Sequence, residues 1–121
     1  MNPLRSENLK IETLDGGQGA RLIRLSGQLT LQTLFDFQQI ARQELAKPIV
    51  VDLTDVSYMD SGGLGSILGI FASCQRTRRG FALAVVPERI RTLIDVSRLD
   101  GVLPCFESLE AAESAVMKSG A

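Results

Sequence analysis

The chain has 121 residues, 45% of them hydrophobic and 22% charged, which suits one globular domain with its own core and leaves no room for a second. Thirteen basic residues stand against 14 acidic ones, so the basic footprint that binding to a phosphate backbone requires is missing, and nucleic acid is not an expected partner. Histidine is absent, which closes the Ser-His and Cys-His nucleophile pairs and the His zinc triad, and no apolar run approaches the roughly 20 residues of a membrane span.

The opening Met1-Asn-Pro-Leu-Arg-Ser-Glu7 lacks an apolar signal core; residues 1–8 are expected to be a flexible lead-in to a cytoplasmic domain over 9–118. Residues 9–14 alternate apolar with polar, Asp15-Gly16-Gly17 signals a turn, and a second alternating run covers 20–26, which together predict a hairpin. Gly27-Gln28-Leu29 leads to Thr30, a candidate N-cap for a helix of about 15 residues with Leu34, Phe37, Ala41 and Leu45 on one face, ended by Lys47-Pro48. Residues 49–53 are β-branched and apolar on both sides, the pattern of a central strand.

Residues 54–60 read as a loop, and Ser61 opens a helix running from Gly62 to about Arg78. Arg76, Arg78 and Arg79 suit the negative end of its dipole. Residues 81–86 are another buried strand. Pro87 starts a third helix with Ile90, Leu93 and Ile94 inward, and residues 97–101 interrupt it. A short strand at 103–106 precedes a last helix capped near Ser108. The order β-β-α-β-α-β-α-β-α is an α/β domain, a mixed sheet of about five strands with about four helices. Cys74 and Cys105 are too few for a disulfide framework and are expected as reduced, buried or half-buried thiols.

The joint from the central strand through Asp60-Ser61-Gly62 lies at the carboxyl edge of the strands, where α/β sheets place their sites. The plainer reading is that Asp60 and Ser61 cap a helix. At 3.6 residues per turn Leu64, Ile67, Leu68, Phe71 and Gln75 share one side, the expected core, while Gly62, Gly65, Ser66, Gly69 and Ser73 share the other. Each interior glycine costs roughly 1 kcal/mol against alanine, so this bare strip is read as a partner surface, with a small-residue contact inside the domain as the alternative. Asp52, Asp55 and Asp60 are more simply a strand end, a loop turn and a cap than a metal cluster. Gly62-Gly63-Leu64-Gly65 lacks the Lys-Ser/Thr of a P-loop and sits inside a helix, so neither metal nor cofactor is expected.

The run Asp52-Leu-Thr-Asp-Val-Ser-Tyr-Met-Asp-Ser-Gly-Gly-Leu-Gly-Ser-Ile-Leu68 resembles the signature of STAS domains, specifically the bacterial anti-sigma factor antagonists. Leu25-Ser-Gly-Gln-Leu29 is similar to that family's second strand, and Leu99-Asp-Gly-Val-Leu-Pro-Cys-Phe106 to the segment before its last helix. The resemblance implies a non-enzymatic protein, monomeric when free and without direct membrane insertion. It would bind an anti-sigma factor that is also a serine kinase of the histidine-kinase-like ATPase fold, and so release the sigma factor. Phosphorylation of Ser61 would switch it off, and a PP2C-type phosphatase would be the further partner. The partner surface would comprise Thr30, Ser57, Asp60, Ser61, Gly62, Gly65, Ser66, Gly69 and Ser73. Thr30 stands where many antagonists have an acidic residue, and Gly62 where a second Ser or Thr is common. Ser57 and Thr54 are lesser acceptors, read as making loop hydrogen bonds. The alternative is a STAS subunit of an ABC transporter or of a signalling scaffold, docking a partner that is not a kinase.

Overall fold

The computed structural model describes residues 8–44 and 47–119. Residues 1–7 of the lead-in expected over 1–8, and the inward position of Leu45, lie outside the described residues. Five strands form one sheet in the order β1 (Leu9–Asp15), β2 (Arg21–Leu29), β3 (Ile49–Met59), β4 (Phe81–Ala84) and β5 (Cys105–Phe106). β1 and β2 are the antiparallel hairpin; every later pair is parallel, as crossover helices require. Those helices are α1 (Leu34–Arg42), α2 (Ser61–Arg76), α3 (Glu88–Val96) and α4 (Leu109–Ser119).

Strand periodicity assigns the layers. Ile49, Val51 and Leu53 of β3 point into the larger core, with Leu34 and Phe37 of α1, Leu64 and Ile67 of α2, and Ile90 and Ile94 of α3. Val50 points the other way, into a smaller core closed by Ala112 and Val116 of α4. The sheet is thus covered on both faces, which is why residues 49–53 carry no apolar-polar alternation. Asp52 is the exception in that run. It is buried on the α4 side, where its carboxylate takes Arg24 Nε at 3.1 Å and the Thr54 N–H and hydroxyl at 3.0 and 2.6 Å. No helix among the described residues is long and apolar enough to cross a membrane.

Three expectations change. Residues 54–59 are strand, not loop: β3 continues beside β2, and two irregularities at Arg24/Ser26 and Gly27/Gln28 each put an extra residue into it. These bulges scramble the alternation and hide the strand from a period-two reading. α1 is shorter than predicted, nine residues, because residues 30–33 form a turn fixed by the Thr33 hydroxyl, which donates to the Gln28 carbonyl (2.9 Å) and accepts from the Thr30 N–H (2.9 Å). Thr30 is therefore no helix cap; its hydroxyl accepts from the Gln32 N–H inside the turn. β4 stops at Ala84 and β5 spans only two residues, which leaves the start of β4 unpaired on its outer side, away from β3. At the last helix, Ser108 accepts from the Ala111 N–H as expected of a cap. Both cysteines are free thiols; burial raises the pKa of each above the ordinary thiol value.

Candidate functional site

α2 begins where β3 ends, and Asp60 makes the joint. Its extended backbone (φ −103°, ψ −177°) and side chain give it the N-cap role: Oδ1 accepts from the Gly63 N–H at 2.8 Å. The other oxygen, Oδ2, accepts from the Leu31 N–H at 3.1 Å and so ties the turn after β2 to the same corner. One carboxylate thereby fixes Thr30, Leu31 and the start of α2 together. Gly63 allows the approach: a side chain there would run into the Leu29 carbonyl at the end of β2.

Because Asp60 holds the cap, Ser61 does not have to. Ser61 is exposed in the first turn, where free N–H groups and the positive end of the helix dipole favour an anion, and α2 has no acidic residue in that turn. The competing hydroxyls are committed elsewhere. Thr54 donates to Asp52, and Ser57 donates across to the Gly27 carbonyl of β2 at 3.2 Å; both are strand residues, so these bonds lie within the sheet and not in the loop expected.

The bare strip divides in two. Gly65 and Gly69 are exposed, and a Cβ on either would meet nothing within 4 Å. Gly62 is half-buried, with the Leu31 backbone and side chain 3.2 Å from where its Cβ would stand. Ser66 departs from the expected surface altogether. It is 2% exposed and its hydroxyl donates to the Gly63 carbonyl at 2.6 Å, while Ser73 is half-buried. The core face is Gly63, Leu64, Ser66, Ile67, Ile70 and Cys74; Leu68 and Phe71 are only half-buried and Gln75 is exposed. The helix is turned relative to the wheel reading because it rests on the sheet with α1 against one flank, so part of its small-residue side faces inward.

The sequence reading missed the apolar rim of this corner. Leu31 and Phe35 are 67% and 70% exposed, on the turn and first helical turn beside α2, and Tyr58 of β3 is 46% exposed. A usable signal was present: Phe35 falls off the Leu34-Phe37-Ala41 stripe and has no place in the α1 core. Of the three exposed groups, Leu31 adjoins the small-residue strip, 3.2 Å from where a Gly62 Cβ would stand, and exposed large apolar groups are the kind of side chain that a partner protein covers.

Comparison with known proteins identifies the family and the fold. The STAS domain family matches residues 13–112. An anti-sigma-B factor antagonist of Staphylococcus epidermidis is 30% identical over 106 residues, covering 85% of this chain and 97% of that protein. Among solved structures, an anti-sigma factor antagonist from Mycobacterium paratuberculosis superposes with a TM-score of 0.78 at 20% identity, over 94% of this chain and 99% of that one. The Bacillus cell fate determinant SpoIIAA in its phosphorylated form gives 0.68 at 19% identity, over 87% and 98%. The murine anion transporter Slc26a9 gives 0.74 at 10% identity, over 94% of this chain but 23% of its own. The chain belongs to the STAS domain family, among the anti-sigma factor antagonists.

Proposed function

We propose that this protein binds an anti-sigma factor that is also a serine kinase, through the corner built by Ser61, Gly65, Gly69 and the Thr30–Leu31 turn, and that phosphorylation of Ser61 ends the binding. The observation that carries the reading is the division of labour at the start of α2: Asp60 supplies the cap, so the Ser61 hydroxyl is exposed and has no structural duty. A relative of nearly the same length is an anti-sigma-B factor antagonist, and a structural neighbour is known in a phosphorylated form.

The chemistry follows from charge and contact. A phosphoserine adds about −1.5 to −2 charge and three acceptor oxygens. At the N-terminus of α2 the fold tolerates this, since the dipole and free N–H groups favour it. A partner packed against Gly65 and Gly69 does not, because it must desolvate the phosphate and find room for it. A PP2C-type phosphatase would reverse the step. The protein itself performs no catalysis in this scheme and needs no cofactor. Fold alone leaves a transporter subunit as the second reading, since Slc26a9 shares the architecture.

The test is capture of the partner from native lysate on wild-type bait, followed by incubation with ATP and fragment mass spectrometry. Phosphate on Ser61, with Ser61→Glu bait failing to capture the same protein, is the expected result. Phosphate on Ser57 or Thr54 with Ser61 untouched overturns the assignment, and an ABC transporter as the captured protein favours the second reading.

A further inference from the structure

The far end of α2 carries a second feature that the Ser61 corner does not use. A groove of about 390 Å³ lies between Phe71 and Gln75 of α2, Arg78 and Arg79 of the turn after it, Phe81 of β4, Pro104 and Phe106 around β5, and Ala115 of α4. It exists because β5 is short. Leu83 and Val85 donate to the Pro104 and Phe106 carbonyls, and the ladder goes no further back, so the outer edge of β4 near Phe81 is left without a paired strand. At 1.5 Å per residue the α2 residues of this groove, Phe71 and Gln75, stand about 15 to 21 Å along the helix from Ser61, outside the proposed partner surface.

We infer that the groove binds a small amphipathic anion, a carboxylate with an apolar body, its chain against the phenylalanines and its charge at Arg78. Three of the five phenylalanines in the sequence line it, two of them, Phe71 and Phe81, in ring contact with centroids 5.6 Å apart. Its volume is within the range of small-molecule sites, which are apolar with a few polar groups to orient the ligand. The charge around it has one sign: both ionisable side chains in the lining are arginines, and no carboxylate is among them.

Those two arginines are in different positions. The Arg79 guanidinium is committed, with Nε donating to the Thr77 hydroxyl at 2.8 Å and Nη1 to the Glu44 and Lys47 carbonyls at 2.8 and 3.1 Å. Arg78 is exposed, and no hydrogen bond or ion pair engages its side chain among the described residues. The turn holds its backbone in place, since Arg78 N–H donates to Gln75 and Arg79 N–H to Cys74. Compensation of the helix dipole accounts for cationic residues at this end, but not for three aromatic rings gathered beside them. Their combination matches an amphiphile of opposite charge.

Amide chemical-shift titrations of the full chain with decanoate and with uncharged decanol, both below micelle formation, test the inference. Saturable decanoate shifts are expected at Gln75, Arg78, Arg79, Phe81 and Phe106. Arg78→Gln should weaken decanoate about tenfold, the size of one lost charged hydrogen bond, and leave decanol unchanged. Ala115→Phe should fill the groove and abolish both shifts in a protein whose remaining spectrum is native. Equal binding of decanoate and decanol, wild-type affinity in Arg78→Gln, or shifts centred on Leu31 and Phe35 overturn the assignment. Ser61→Glu should bind decanoate as wild type does, so the outcome is independent of the phosphorylation reading.

Discussion

Three glycines of α2, one inner and two outer, look alike in the sequence and serve opposite ends. Gly63 faces inward, against the carbonyl that ends β2, and its missing side chain lets helix and strand approach closely enough for Asp60 to bridge them. Gly65 and Gly69 face outward into open space, where nothing in the domain requires them bare. The inner glycine is a condition of the fold; the outer pair weaken the helix by roughly 1 kcal/mol each against alanine and return nothing to the isolated protein. A residue that costs stability on an exposed face points to what touches that face.

This contrast breaks first at Gly63. The strand backbone it meets cannot move aside as a flexible side chain would, so Gly63→Ala should destabilise by about 3 kcal/mol, measured as the shift of a urea midpoint at constant slope. A loss below about 1 kcal/mol would mean that helix and strand can separate freely and that Gly63 is no different from Gly69.

Asp60→Ala comes next, at about 1 to 2 kcal/mol, because the variant loses a cap whose carboxylate also holds the Leu31 turn. In Asp60→Asn, whose side chain keeps only one acceptor oxygen, just one of the two amides can stay bonded; in Asp60→Ala hydrogen exchange at the Gly63 and Leu31 amides should quicken together. If only Gly63 quickens, the turn carrying Leu31 is held by the Thr33 hydrogen bonds alone.

At Gly69 the expected sign reverses. Gly69→Ala should stabilise the free domain by about 0.5 to 1 kcal/mol, since helical geometry and open space suit alanine and the unfolded chain loses freedom. Gly69→Gln should be near neutral for stability yet weaken partner capture by about tenfold or more, holding two close-packed surfaces apart. Unchanged binding would place the partner elsewhere.

Most of the architecture could be read from pattern because the core obeys it: residues 49–53, the Ile90-Ile94 stripe and the Ser108 cap stand where period and capping chemistry put them. The failures have physical causes. Two bulges erase the alternation of β3 after Asp52, and a turn held by side-chain hydrogen bonds delays α1 to Leu34. The helical wheel placed Ser66 outside because a wheel shows only one helix; α1 on the flank of α2 decides which small residues are covered. Asp60 and Ser61 were legible as a pair, but which of them was the cap required the coordinates.

The smallest expected change in stability is at Ser61 itself, and it bears on whether the site is a switch or a disguised cap. Ser61→Asp places a carboxylate in the first turn of α2, where the dipole favours it by about 0.3 to 1 kcal/mol. Asp60 next to it opposes the gain by like-charge repulsion, softened because both groups border water. The two effects offset, so the thermal midpoint should correspond to a change within about 0.5 kcal/mol. Partner capture by the same variant should fall, since the charge stands where Gly65 and Leu31 would meet the partner's surface. A melt displaced by 2 kcal/mol or so would show that the Ser61 hydroxyl holds the helix start together, and the division of labour with Asp60 would be lost with it.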